Sequence, residues 1–112
     1  MSSNTDVSQV IVYLIEDDAA ILKSCEQALM LEHFEVRTFA DAGTFFAADT
    51  PRFPYVVITD VNLPDACGIS IMKKVLGRDP DVPVIVITGH GDINMAVDSM
   101  KEGAFDFIEK PF

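Results

Sequence analysis

The chain has 112 residues, 49% hydrophobic and 23% charged, ordinary proportions for one globular domain with a single core, so neither a disordered nor a membrane class is indicated. Eighteen acidic residues against eight basic ones give a formal charge of −10, which argues against a binder of phosphate backbones; any nucleic-acid contact belongs to a different domain. Two distant cysteines make no disulfide scaffold, no apolar run approaches the roughly 20 residues that span a bilayer, and the polar tail 1–9 lacks signal-peptide features, so a cytoplasmic location is expected.

Val10 to Ile15 is an unbroken apolar run, read as a strand buried on both faces, and it stops at Glu16-Asp17-Asp18. A helix is expected from Ala19 to Leu31, capped by Asp18, with Ile21, Leu22, Cys25, Ala28 and Leu29 on one face. Glu35 to Phe39 alternates as a half-exposed strand, and Asp41 to Ala48 is a short helix closed by Asp49-Thr50-Pro51. Tyr55 to Asp60 is a second buried strand ending in a carboxylate, after which Pro64 and Gly68 turn the chain. Gly68 to Leu76 is the third helix, with Ile69, Met72 and Val75 or Leu76 inward and Gly77 as its stop. Val82 to Thr88 is a strand, Gly89-His90-Gly91 a loop, and Ile93 to Lys101 a helix capped by Asp92, with Ile93, Ala96, Val97 and Met100 on its apolar face. Gly103 is its expected left-handed stop, and Phe105 to Glu109 forms the last strand.

Strands alternating with helices at this spacing predict an α/β fold, a doubly wound five-stranded parallel sheet. Right-handed crossovers put all the strand ends on one edge, which gathers Glu16, Asp17, Asp60, Asn62, Thr88 and Lys110. Singly, each has a plain explanation: an Asp after a strand is commonly a solvated turn residue, an acidic triplet caps a helix, and a lysine sits on the surface. Together they are a candidate site. Crowded carboxylates repel unless a cation neutralises them, and magnesium, a hard oxygen-seeking ion that keeps some of its waters, fits best. A carboxylate nucleophile, a metal, an ammonium and a hydroxyl donor are the parts that phosphoryl transfer needs.

The order of the acidic pair, Thr59-Asp60 before Asn62-Leu63-Pro64, Ile87-Thr88-Gly89-His90-Gly91-Asp92 and Gly103 to Phe112 resembles the receiver domain of bacterial two-component response regulators, and is similar to receivers of nitrogen-fixation and dicarboxylate-transport transcriptional regulators. The likeness runs from Val10 to Phe112, so residues 10–112 are expected to form the receiver. It implies a flavodoxin-like sheet of order 2-1-3-4-5. It implies that Asp60 accepts a phosphoryl group from a sensor histidine kinase, that Asp17 binds magnesium directly and Glu16 mainly through water, and that Asn62 lends its backbone carbonyl. Thr88 and Lys110 would contact the phosphoryl oxygens, Phe107 would turn inward as Thr88 moves, and Asn62 and His90 would tune the lifetime of the phosphoryl group. Asp18 is left as the helix cap, and the Lys110-Pro111 bond is expected to be cis. A homodimer through the fourth helix and last strand, and control of transcription, are further expectations.

Two departures from the family pattern stand out. Ala66-Cys67 precede Gly68 where the family carries an acidic or small polar residue, and Cys67 is expected to be a small buried filler rather than a redox centre. The chain also stops where the family continues into a fifth helix, so a fragment, or a truncated form that dimerises over an uncovered sheet flank, is expected. Other classes fit less well. Asp60-Val61-Asn62 loosely resembles the nucleophile motif of haloacid-dehalogenase-type phosphatases, but that class puts its nucleophile on the first strand and a second acid where Asn62 stands. An unphosphorylated scaffold would not need the whole residue set, and a nucleotide hydrolase would need a P-loop, which is absent.

Overall fold

The computed structural model describes residues 10–48, 54–89 and 92–110. The tail 1–9, the stop expected at 49–51, His90 and the Lys110-Pro111 bond lie outside them. Among the described residues nine elements alternate: β1 (Ile11–Ile15), α1 (Ala19–Leu31), β2 (Glu35–Phe39), α2 (Ala42–Ala47), β3 (Tyr55–Asp60), α3 (Gly68–Arg78), β4 (Val84–Thr88), α4 (Ile93–Lys101) and β5 (Asp106–Glu109). The strands form one sheet in the order β2-β1-β3-β4-β5, every neighbouring pair parallel. The chain steps outward from β1 in both directions, so the cleft outside the carboxyl ends of β1 and β3 is the switch point where such sheets hold ligands.

Register assigns the two faces. Ile11, Tyr13 and Ile15 lie in line with Tyr55, Val57, Val84 and Val86, and these pack with Ala42 and Phe45 of α2 and Ile71, Met72 and Val75 of α3 into one core. Tyr13 meets Phe45 and Tyr55 edge-on at centroid distances of 6.0 and 5.6 Å, which ties α2 to the middle of the sheet. The opposite face carries Leu14, Ile58, Ile87 and Ile108. With Ser24, Cys25, Ala28 and Leu29 of α1 they line an apolar groove of about 330 Å³. No residue of α1 is fully buried; Ile21, Leu22, Cys25 and Leu29 are half-buried and Ala28 is exposed.

Several expected boundaries and faces differ. Gly77 does not end α3: the helix runs on to Arg78, and Asp79 closes it through a backbone bond to Val75 of 2.7 Å. Gly77 keeps ordinary helical geometry, with open space where a side chain would be, so nothing there requires a break. β4 begins at Val84, because Pro83 has no N–H to donate, and β5 begins at Asp106. The apolar face assigned to α4 is also revised. Ala96 and Ser99 are fully buried, while Ile93, Val97 and Met100 are 50%, 45% and 41% exposed. Small side chains let the helix approach the sheet closely, and Ser99 satisfies its hydroxyl by donating to the Ala96 carbonyl at 2.7 Å, so a polar residue takes the inward place. Gly103 has φ +115°, the expected positive-φ stop.

Candidate functional site

Glu16 directly follows β1, its N–H still paired to the Phe39 carbonyl at 3.0 Å, and that pairing fixes its side chain at the sheet edge with no solvent exposure. One carboxylate oxygen accepts from the Asp18 N–H at 2.9 Å. Asp17 is exposed at the rim, and Asp18 turns away to cap α1, accepting from the N–H groups of Ala20 and Ile21 at 3.0 and 3.1 Å, as expected of it. Asp60, the last residue of β3, is 4% exposed. Oxygens of Glu16, Asp17 and Asp60 all lie within 4.8 Å of one another, a cluster that can hold a metal ion.

Lys110 reaches this cluster from the end of β5, where its N–H bonds the Thr88 carbonyl at 2.8 Å. Its Nζ donates to Asp60 Oδ2 at 3.0 Å and lies 3.0 Å from Glu16 Oε1. The contact with Glu16 is a charge contact without hydrogen-bond alignment, so Oε1 remains a buried acceptor with no hydrogen bond, and the buried Thr88 Oγ1 likewise has none among the described residues. Orphaned buried oxygens carry a desolvation cost that a bound cation or anion relieves. One ammonium against three carboxylates leaves two negative charges uncompensated, the charge a divalent ion supplies.

Burial raises the proton affinity of Glu16 above the ordinary glutamate range; the Asp18 N–H and Lys110 pull it down, and the Asp60 charge pushes it up. Burial acts to lower the Lys110 pKa, but its hydrogen bond to Asp60 and its contact with Glu16 outweigh that and leave it raised. The lysine is therefore a fixed positive charge throughout the neutral range.

The turn after Asp60 is a tight hairpin. Leu63 N–H bonds the Ala66 carbonyl at 3.1 Å, Asn62 and Cys67 form an antiparallel bridge, and Gly68 N–H bonds the Val61 carbonyl at 2.8 Å. A Cβ on Gly68 would stand 2.3 Å from the Asp60 carbonyl oxygen, so only glycine lets the hairpin close against the strand end. Gly68 takes the buried place, and Cys67 is exposed beside it, contrary to the filler expected there. The Asn62 N–H donates to Asp60 Oδ1 at 3.2 Å, and its side-chain Nδ2 donates across the cleft to Asp92 Oδ2 at 3.2 Å. Asp92 thus occupies the cap position of α4 without capping it through its side chain. Phe107 is half-buried on β5, in register with Val86 and packed against the core.

The structure thus brings Glu16, Asp17, Asp60 and Lys110 together, with Thr88 joined to Lys110 through the backbone and Asn62 to Asp60. A role for Asp65 was not foreseen. It accepts from the N–H groups of Ala42 and Gly43 at 3.0 and 2.9 Å, more than twenty residues back along the chain, and no local pattern announces so distant a contact.

A doubly wound parallel sheet with two buried acids and a lysine converging at its switch point defines an α/β fold with a candidate cation site where such sheets hold their ligands. The response regulator receiver domain model matches residues 12–112, and the chain belongs to that family. It is 45% identical over 101 residues to the C4-dicarboxylate transport transcriptional regulatory protein DctD of Rhizobium meliloti, covering 90% of this chain and 22% of that protein. It is 39% identical to the transcriptional regulatory protein FixJ of the same organism, covering 90% of this chain and half of that one. The solution structure of the beryllofluoride-activated NtrC4 receiver domain dimer superposes with a TM-score of 0.82 at 33% identity, covering 91% of this chain and 84% of that one. The chain spans about a fifth to a half of the length of these curated relatives. No helix among the described residues is long and apolar enough to cross a membrane.

Proposed function

We propose that residues 10–112 act as a phosphoacceptor domain in which Asp60 takes a phosphoryl group from a sensor histidine kinase in a magnesium-dependent step. An Asp60 carboxylate oxygen forms the bond to phosphorus as the bond from phosphorus to the donor's imidazole nitrogen breaks, its electron pair staying on the imidazole. Glu16, Asp17 and Asp60, with the Asn62 backbone carbonyl, would hold the magnesium, which when bound neutralises charge building on the transferring group. Lys110 supplies a second positive charge beside the phosphoryl oxygens, and the Thr88 hydroxyl donates to one of them. Water later attacks phosphorus as the bond from phosphorus to the Asp60 oxygen breaks, its electron pair returning to the carboxylate and inorganic phosphate leaving, with Asn62 and His90 setting the rate. The domain is a signalling switch, and the slow hydrolysis ends the signal.

Asp60 changes from a carboxylate of charge −1 to an acyl phosphate of about −2, and the new phosphoryl oxygens draw Thr88 toward the site while Phe107 turns into the space it leaves, shifting α4 and β5. The output is control of transcription, as the names of the relatives suggest, exerted in the cytoplasm through a part of the protein other than this acidic domain. The exposed Ile93, Val97 and Met100 of α4, beside β5, form the face of a homodimer.

The observation that carries this reading is the Asp60 carboxylate itself, buried, 3.0 Å from the Lys110 ammonium and gathered with Glu16 and Asp17. Incubation with acetyl phosphate and magnesium is expected to add the mass of one phosphoryl group, removable by hydroxylamine. Asp60→Asn should abolish the gain. Equal labelling of the Asp60→Asn protein would remove the assignment.

A further inference from the structure

Asp65 sits at the tip of the hairpin that follows Asp60, a turn closed by the backbone bond from Leu63 to Ala66. Its carboxylate makes two bonds outside the hairpin: Oδ1 accepts from Ala42 N–H at 3.0 Å and Oδ2 from Gly43 N–H at 2.9 Å. These are the first two N–H groups of α2, and Asp41 takes the next one, from Thr44, at 2.8 Å. One helix start is thus shared between its own cap and a carboxylate from another loop. The position after Ala42 suits this fork because Gly43 is small: a Cβ there would already lie 3.3 Å from Asp65 Oδ2. The two backbone bonds hold the Asp65 pKa below the usual carboxylate range, so the fork stays charged at neutral pH.

We propose that Asp65 is a positioning residue for the phosphoryl-transfer site, the tether that fixes the hairpin carrying the Asn62 carbonyl by clamping its tip to the start of α2. This deepens the proposed function and rests on that reading. The hairpin has two side-chain anchors to other elements among the described residues. On one side Asn62 Nδ2 bonds Asp92 at the mouth of α4, at 3.2 Å, next to the segment that would move on switching. On the other, the Asp65 fork ties it to α2, whose Phe45 is buried in the central core. The fork is the anchor that does not depend on the switching segment. A carbonyl ligand keeps its aim only when the chain bearing it is held, and outer partners of this kind commonly change metal affinity by about tenfold or more.

The test compares wild type, Asp65→Ala, Asp65→Asn and Asp41→Ala by amide NMR. Without any ligand, Asp65→Ala should speed hydrogen exchange at Ala42 and Gly43 by about tenfold, since both donors lose their acceptors. On magnesium titration, Asp65→Ala should bind about tenfold more weakly, with Asp65→Asn, which keeps one acceptor, in between. Asp41→Ala removes the cap of α2 but leaves the fork, and should bind magnesium within about twofold of wild type. Unaltered exchange at Ala42 and Gly43 would overturn the tether directly. Normal magnesium binding by Asp65→Ala, beside a responsive wild type, would overturn its role at the site alone. A wild type that does not respond to magnesium would overturn the site reading and this inference with it, whereas a loss in Asp41→Ala equal to that in Asp65→Ala would mark a general effect of loosening α2 and overturn the specific role.

Discussion

Among single residues, Glu16 carries the sharpest conflict: a carboxylate with no exposure and, among the described residues, one oxygen without a hydrogen bond and only Lys110 as a counter-charge. Its raised pKa means that the folded state holds a proton more tightly than the unfolded chain does. The stabilisation this gives is complete below the ordinary glutamate range and is lost as pH rises through the raised value. Lys110 is also raised, so its contribution persists through neutral pH and is lost only under alkaline conditions. Metal-free protein should therefore lose melting temperature as pH climbs through the weakly acidic range, and millimolar magnesium should restore it at neutral pH. Lys110→Ala should deepen the loss by about 2 kcal/mol at neutral pH, a value reduced from that of a sealed pair because the lysine is partly exposed, and the deficit should shrink on acidification. A flat stability profile that ignores magnesium would contradict the electrostatic picture. These residues were legible in the sequence because strand ends of a parallel sheet must meet at one edge. Asp65 was not, since its partners are fixed only by how α2 docks, and Cys67 was misjudged because its neighbour Gly68 takes the buried position.

At the level of the elements, two glycines of one helix test the same substitution with opposite signs. Gly77 lies in the last turn of α3 with nothing within 4 Å of the place a Cβ would occupy, so Gly77→Ala should stabilise the fold by about 0.5–1 kcal/mol through helix propensity and lowered unfolded-state entropy. Gly68 begins the helix against the Asp60 backbone, and Gly68→Ala should cost more than about 2 kcal/mol and distort the hairpin. Chemical denaturation of both variants checks the pair; a Gly68→Ala protein as stable as wild type would mean that the close approach at Gly68 is wrong, and a destabilised Gly77→Ala protein that the space at Gly77 is. Sequence periodicity identified every helix and strand here, and the acidic cap Asp18 began α1 where it was expected to, while Asp41, expected as the first residue of α2, caps it instead. It failed on the inward face of α4. Of the expected stripe only Ala96 is buried; Ile93, Val97 and Met100 stay outside, and the sheet selects Ser99 beside Ala96, which no hydrophobicity pattern would rank above them.

Over the described residues as a whole, two apolar surfaces bear on association: the groove between α1 and the sheet, lined by Leu14, Ile58, Ile87 and Ile108, and the α4 stripe beside β5. Both invite association, and Val97, which lies on the stripe and outside the groove, separates them. Under activating conditions the chain should sediment as a dimer at micromolar concentration, and Val97→Glu should return it to monomer; a dimer indifferent to Val97→Glu would shift the contact to the groove. The sheet order was legible because alternation and right-handed crossovers leave few ways to wind five parallel strands, while the partner of each uncovered face was not, since amphipathic patterns do not say what a face meets. Everything functional depends on strand tips converging on Asp60. The most direct measurement is the amide spectrum on adding magnesium and beryllofluoride together to wild type and to Asp60→Asn. Large shifts at Asp17, Asp60, Thr88 and Lys110 spreading to Phe107 in the wild type, and their loss in Asp60→Asn, are expected; shifts that leave these residues untouched, or that persist in Asp60→Asn, would contradict it.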